Sequence, residues 1–137
     1  MATNAETVIP VLVDEDIQAT HDFLVEAFGF GPGRVDLDGD SNPVHGEVEA
    51  EGQTIWLHRA LPDKQLEPPR PATVVHGGLV VRVADVDAHC ARARAAGAQV
   101  RGDPQDQPYG HREYEARDPE GHRWWFATVI DTARARP

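Results

Sequence analysis

Hydrophobic and polar positions change period several times along the chain, and the changes mark out elements. Residues 7–28, TVIPVLVDEDIQATHDFLVEAF, open as an apolar strand and pass through an Asp-rich start into an amphipathic helix. That helix stops at Gly29, a residue suited to the left-handed conformation that ends helices. The stretches GRVDLDG, VHGEVEAE and QTIWLHRA then read as three strands separated by Gly, Asp and Asn turns. Residues 77–96 begin the plan again: GGLVVRV as a strand, ADVDAHCARARAA as a helix, and Gly97 as its stop. AQVRG, HREYEARD and HRWWFAT follow as strands.

The repetition extends to individual residues. Asp16-Ile17-Gln18-Ala19 matches Asp85-Val86-Asp87-Ala88, and Gly52-Gln53-Thr54-Ile55-Trp56 lines up with Gly121-His122-Arg123-Trp124-Trp125. The chain therefore reads as one α+β domain over 1–137 built from two β-α-β-β-β modules, about 7–59 and 76–129. The Pro-rich crossover 60–75 joins them, and its prolines remove ladder donors. Each module has four strands and a single helix, so one sheet face lacks a cover.

Side chains alternate across a strand, so the adjacent Trp124 and Trp125 face opposite ways. Trp124 and Phe126 belong on the helix side, and Trp125 on the uncovered side together with its repeat partner Trp56. His58 shares the face of Trp56. The alternation in VHGEVEAE puts His45, Glu47, Glu49 and Glu51 on one face, either solvated or lining the concavity. His76 shares the facing of Gly78. Tyr109, after DPQDQP, either closes over a ligand or caps the next strand. The facing of His111, Arg112 and Glu113 stays open.

Charge and composition narrow the function. The chain has 23 acidic and 13 basic residues, a net charge of -10. Such a surface repels phosphate backbones and anionic membranes and attracts cations, so neither nucleic acid nor membrane is expected as a partner. No apolar run approaches the ~20 residues that span a bilayer. MATNAETVIPVLV lacks the basic start of a secretory signal. The single cysteine, Cys90, lies in a helical pattern as a packing residue. It admits no internal disulfide and suits a reducing cytoplasm. There is no phosphate-binding Gly loop, nucleophile elbow, H-E-x-x-H or C-x-x-C, and Ser41 is the only serine.

The paired modules and the segment YGHREYEARDPEGHRWWFAT resemble the vicinal oxygen chelate superfamily, which includes glyoxalase I, extradiol dioxygenases and bleomycin-resistance proteins. The resemblance covers about residues 7–129. It implies tandem modules curled into a cup-shaped mixed sheet with helices outside, assembled as a homodimer. Metal-using members carry ligands at the positions that fall here on Ile9, Trp56, Gly78 and Trp125. None of these four supplies a carboxylate or imidazole.

Two functions follow. One is a binding protein without cofactor, holding an aromatic or cationic small molecule with Trp56, Trp125, His58, Tyr109 and Ile9. In that reading the two indoles form opposite walls of one cup, unless they only fill it as core. The other is a glyoxalase-like lyase, isomerase or dioxygenase with a divalent metal on an altered set drawn from His45, Glu47, His58 and His76.

Overall fold

A computed structural model describes residues 4–136; what was read from the first three residues and the last lies outside them. The order of elements is β1 (Val11–Asp14), α1 (Ile17–Phe28), β2 (Gly31–Leu37), β3 (Pro43–Ala50) and β4 (Gln53–Arg59). The second module repeats it with β5 (Leu79–Arg82), α2 (Val86–Ala95), β6 (Gln99–Asp106), β7 (His111–Arg117) and β8 (Arg123–Val129). The strands form two four-stranded mixed sheets, β1-β4-β3-β2 and β5-β8-β7-β6, neither closed into a barrel. In each, the first strand runs parallel to the last and the remaining pairs are antiparallel.

Both helices form for reasons visible in the residues. The Asp16 and Asp85 carboxylates cap them by accepting from Ala19 N and Ala88 N, each at 3.0 Å. Gly29, at φ 72°, ends α1 in the left-handed region. Ile17, Leu24, Ala27 and Phe28 make the buried stripe of α1, and Val86, Cys90 and Ala93 that of α2. No helix of the described residues is long and apolar enough to cross a membrane.

Three boundaries differ from the sequence expectation. The first strand pairs only from Val11, because Pro10 has no N–H to give and joins the sheet through its carbonyl alone, accepting from Trp56 N at 2.9 Å. β6 does not stop at Gly102. A shift in register between Arg101 and Gln105, where Gly102 takes φ 79°, absorbs the extra residues, and pairing resumes at Gln105 and Glu113. Tyr109 therefore sits in a tight hairpin turn rather than a long loop. Within the crossover, Pro62–Lys64 make one 3-10 turn, closed by a bridge between Leu61 and Leu66.

One core serves both modules. Phe28, at the end of α1, meets Phe23, Phe30, Trp124 and Phe126 with ring centroids 5.2, 5.9, 5.6 and 4.7 Å away. Trp124 and Phe126 are fully buried on the helix side of β8, as the alternation required. His89 of α2 locks this seam: its Nε2 donates to the Phe28 carbonyl at 2.8 Å, which leaves Nδ1 to accept from the Tyr114 hydroxyl at 2.6 Å. Burial holds the His89 pKa below its ordinary value, in keeping with a neutral ring. Arg92 of α2 donates to the Glu26 carbonyl at 2.9 Å and the Val25 carbonyl at 3.3 Å, satisfying the C-terminal end of α1.

A second, polar joint is made by the turn Asp118-Pro119-Glu120-Gly121. Asp118 accepts from Glu120 N, His122 N and Trp124 Nε1, at 3.1, 3.0 and 3.0 Å. Glu120 reaches the other module and accepts from Asp16 N at 2.9 Å, at the start of α1. His122 Nε2 donates to the Val13 carbonyl at 2.9 Å and lies 3.0 Å from Asp14 Oδ1. Asp14 is fully buried, and desolvation, only partly offset by His122, pushes its pKa up to about 6. Burial opposes the charge on His122, but Asp14 and Asp118 together with the Val13 carbonyl outweigh it and raise its pKa.

Two outcomes test these joints. Phe28→Ala should cost about 3–5 kcal/mol of stability in chemical denaturation, since it empties the seam between modules. The pH dependence has a defined sign. Both pKa values are higher folded than unfolded, so the folded chain binds the extra protons and stability falls as pH rises. The Asp14 part is complete below its ordinary value of 3.8 and is lost as pH rises through about 6. The His122 part is lost above 6.5, as pH passes the raised folded value. Denaturation midpoints of Asp14→Asn measured from pH 4 to 6 should therefore fall less steeply than those of the parent chain.

Candidate functional site

The face of each sheet away from its helix carries the side chains singled out above. In the first sheet Trp56 pairs with Val11 on one side and Glu47 on the other. In the second, Trp125 pairs with Val80 and Glu115 in the same way. These two triplets, valine–tryptophan–glutamate, are the repeat expressed as chemistry. Trp56, on the inner strand β4, is 39% exposed, and its edge-strand neighbour Val11 and the equivalent Val80 are 51% and 57% exposed, so the two faces carry uncovered apolar groups.

Around Trp56 the setting is acidic and imidazole-rich. The His45 ring stands edge-on to the indole, with centroids 5.3 Å apart, and His45 Nε2 lies 3.0 Å from Glu47 Oε2. Arg34 reaches the same carboxylate at 2.9 Å. His58 shares the face but turns its Nδ1 to the Arg59 carbonyl at 2.7 Å. The strand His45, Glu47, Glu49 therefore lies on the Trp56 face, whereas Glu51 falls in the turn after β3.

Around Trp125 the setting is different. The Arg123 guanidinium lies 4.9 Å from the centre of the indole ring, a cation–π contact, and also donates to Glu115 at 2.6 Å. A cavity of about 220 Å³ opens beside this indole between β6, β7 and β8. Tyr109, half exposed in the β6–β7 turn, donates its hydroxyl to Glu113 and stands edge-on to His111. Partial desolvation and the Glu113 carboxylate push the Tyr109 hydroxyl up to about 12.

Trp56 and Trp125 are not in direct contact. They sit in separate sheets, no ring contact joins them among the described residues, and the cavity at Trp125 has no wall from the first module. The reason is the shared core: Phe28 and Phe30 bind the modules through their helix-side faces, not through a continuous β1–β5 ladder. Ile9 is half-buried just before β1, at the mouth of neither indole's pairing. Arg34, Val11, Val80, Glu115 and Arg123 were not singled out as site residues from the sequence. Val80 and Glu115 were nevertheless within reach, because the repeat that pairs Trp56 with Trp125 also pairs Val11 with Val80 and Glu47 with Glu115.

The metal positions of the family do not fit a metal here. Ile9, Trp56, Gly78 and Trp125 bear no donor group, and position 78 has no room for one. A Cβ there would lie 2.4 Å from the Arg123 carbonyl oxygen and 2.9 Å from the Trp125 ring. The alternative set is not assembled either. His45 and Glu47 meet, but His58 is turned to its neighbour's carbonyl and His76 is exposed before β5. Among the described residues no three His, Cys, Asp or Glu side chains are placed to hold an ion.

Comparison with known proteins agrees with this architecture. Residues 7–126 match the model of the Glyoxalase/Bleomycin resistance protein/Dioxygenase superfamily. The uncharacterized protein Mb0911c of Mycobacterium bovis is 35% identical over 129 residues, covering 90% of this chain and 84% of that protein. Among solved structures, TioX from Micromonospora sp. ML1 is 30% identical with a TM-score of 0.69, covering 92% of this chain and 100% of that one. TnmS3, an antibiotic binding protein from Streptomyces sp. CB03234, is 27% identical with a TM-score of 0.68, covering 93% and 99%. The fold is that of paired β-α-β-β-β modules with two open mixed sheets. The chain belongs to the Glyoxalase/Bleomycin resistance protein/Dioxygenase superfamily.

Restoring a family ligand should fail for a steric reason. Gly78→His is expected to lose about 1–3 kcal/mol through overpacking against Arg123 and Trp125. It should also gain no stoichiometric zinc or nickel in elemental analysis. Unchanged stability would show that the position has space after all.

Proposed function

We propose that the protein binds a small aromatic or cationic molecule on its exposed indoles, without a metal, as a cytoplasmic homodimer. The carrying observation is Trp56: 39% exposed in mid-sheet, flanked by the exposed Val11 and by Glu47. A flat ring stacked there meets an apolar surface with a carboxylate at its edge, the combination that suits an aromatic cation. The four ligand positions without donors support a binding role over metal chemistry, and so does the likeness to TnmS3, which its name describes as antibiotic binding. His58 and Tyr109 lie at the margins of the two indole faces and would supply polar contacts; Ile9 adds apolar surface before β1.

The homodimer has its own argument. Each chain leaves two tryptophan-bearing faces uncovered, and they differ in charge: Asp36, Glu47 and Glu49 against Arg34 on the first, Arg101, Arg117 and Arg123 against Glu113 and Glu115 on the second. A second copy can lay its first sheet over the second sheet of its partner, closing the ligand between Trp56 of one and Trp125 of the other.

Planar aromatic cations, with known antibiotics among them, should be screened by thermal shift and tryptophan fluorescence. A ligand present at 100 times its Kd adds about 2.7 kcal/mol of apparent stability. Trp56→Ala should weaken binding about tenfold while leaving the fold nearly as stable, because the indole is exposed. Sedimentation of the parent chain should give a dimer. Undiminished affinity in Trp56→Ala, or a monomer at micromolar concentration, would overturn the reading.

A further inference from the structure

A cavity of about 560 Å³ lies away from Trp56, where the inter-module crossover passes the outer end of the second sheet. Residues 70–73 form one side, β6 and β7 another, and the Asp118–Gly121 turn the floor. Its volume falls within the range of small-molecule sites. Pro71, Ala72 and Pro119 give it apolar wall, and Arg70, Arg101 and Arg117 bring three guanidinium groups to it.

In a chain of net charge -10, several arginines are neutralised close at hand, while Arg82 and Arg92 are held by neutral groups. Arg112 is paired with Asp87 and Asp106, each at 3.0 Å, and Arg94 with Asp103 at 2.6 Å. At the cavity Arg117 donates to two neutral carbonyls, Thr73 at 2.9 Å and Gly121 at 3.2 Å, and among the described residues it meets no carboxylate. These bonds fix the guanidinium in place without cancelling its charge. Arg101 is largely exposed and reaches Glu115 only at 3.9 Å, while Glu115 is held at 2.6 Å by Arg123. Arg70 shares Glu15 at 3.4 Å and Glu120 at 3.8 Å. Asp118 also lines the cavity, but both its oxygens accept bonds from within its own turn and from Trp124, and burial pushes its pKa up. The walls therefore keep an excess of positive charge beside an apolar surface.

We propose that this cavity binds an organic anion, a carboxylate or phosphate monoester carried on a small apolar body. Arg101 and Arg117 grip the anionic head, since a guanidinium fork matches its oxygens two at a time. Pro71, Ala72 and Pro119 take the body. The site shares Arg101 and Glu115 with the cavity beside Trp125, but it includes neither Trp56 nor any residue of the first sheet.

Calorimetric titration of the full chain with phenyl phosphate, benzoate and the neutral benzyl alcohol tests this. The two anions should bind once per chain, their relative affinity naming the preferred head group, and the alcohol should not bind. Arg101→Gln should weaken the better anion about tenfold, the loss of one charge-assisted contact. Arg59→Gln removes the same charge from an exposed position in the other module and should leave affinity within about twofold; Trp56→Ala should do the same. Glu115→Gln, which frees Arg101 from its competitor, should tighten binding. No heat with either anion at millimolar concentration would overturn the site, and so would equal binding of the alcohol. Equal weakening by Arg59→Gln would reduce it to nonspecific attraction and overturn it as well.

Discussion

Contact between the end of the first helix and the last strand of the second module governs the rest of this molecule. Phe28 is packed on Trp124 and Phe126, and its carbonyl is held by His89, so residues far apart in sequence share one dry seam. Neither module could bury the helix-side face of its sheet as completely alone, because each has a single helix over four strands. Joining the modules through these faces leaves the opposite faces bare. The exposure of Trp56, Val11 and Val80 is thus a consequence of how the core was closed, not an independent feature.

The polar joint complements the aromatic one. Burying Asp14, Asp118 and Glu120 near one another is unfavourable unless donors meet them, and the Asp-Pro-Glu-Gly turn supplies those donors from backbone N–H groups, an indole and His122. The turn does more than reverse the chain. It fixes the start of α1 through Glu120 and the floor of the arginine-lined cavity through Asp118 and Gly121. One short motif therefore ties the first module, the crossover and the last strand together.

The two uncovered faces share a plan and differ in chemistry. Each has tryptophan between valine and glutamate, but Trp56 stands among histidines and carboxylates, and Trp125 lies under an arginine. Trp125 also explains why position 78 is glycine, since its ring and the β8 backbone occupy the space a side chain would need.

Local rules sufficed for much of this in the sequence. Period, capping aspartates and helix-ending glycines marked the elements, and the repeat marked the modules. Strict alternation separated Trp124 and Phe126 from Trp125, because each such property depends on neighbours a few residues away. Strand boundaries shifted where a single residue altered pairing, at Pro10 and at the Gly102 bulge. What the residues could not show was which faces meet. The separation of the two indoles, the carboxylate cluster around Asp14 and the gathering of Arg70, Arg101 and Arg117 at one cavity all join residues from distant segments. No periodicity encodes such meetings; they were decided when Phe28 closed the core of one module onto the last strand of the other.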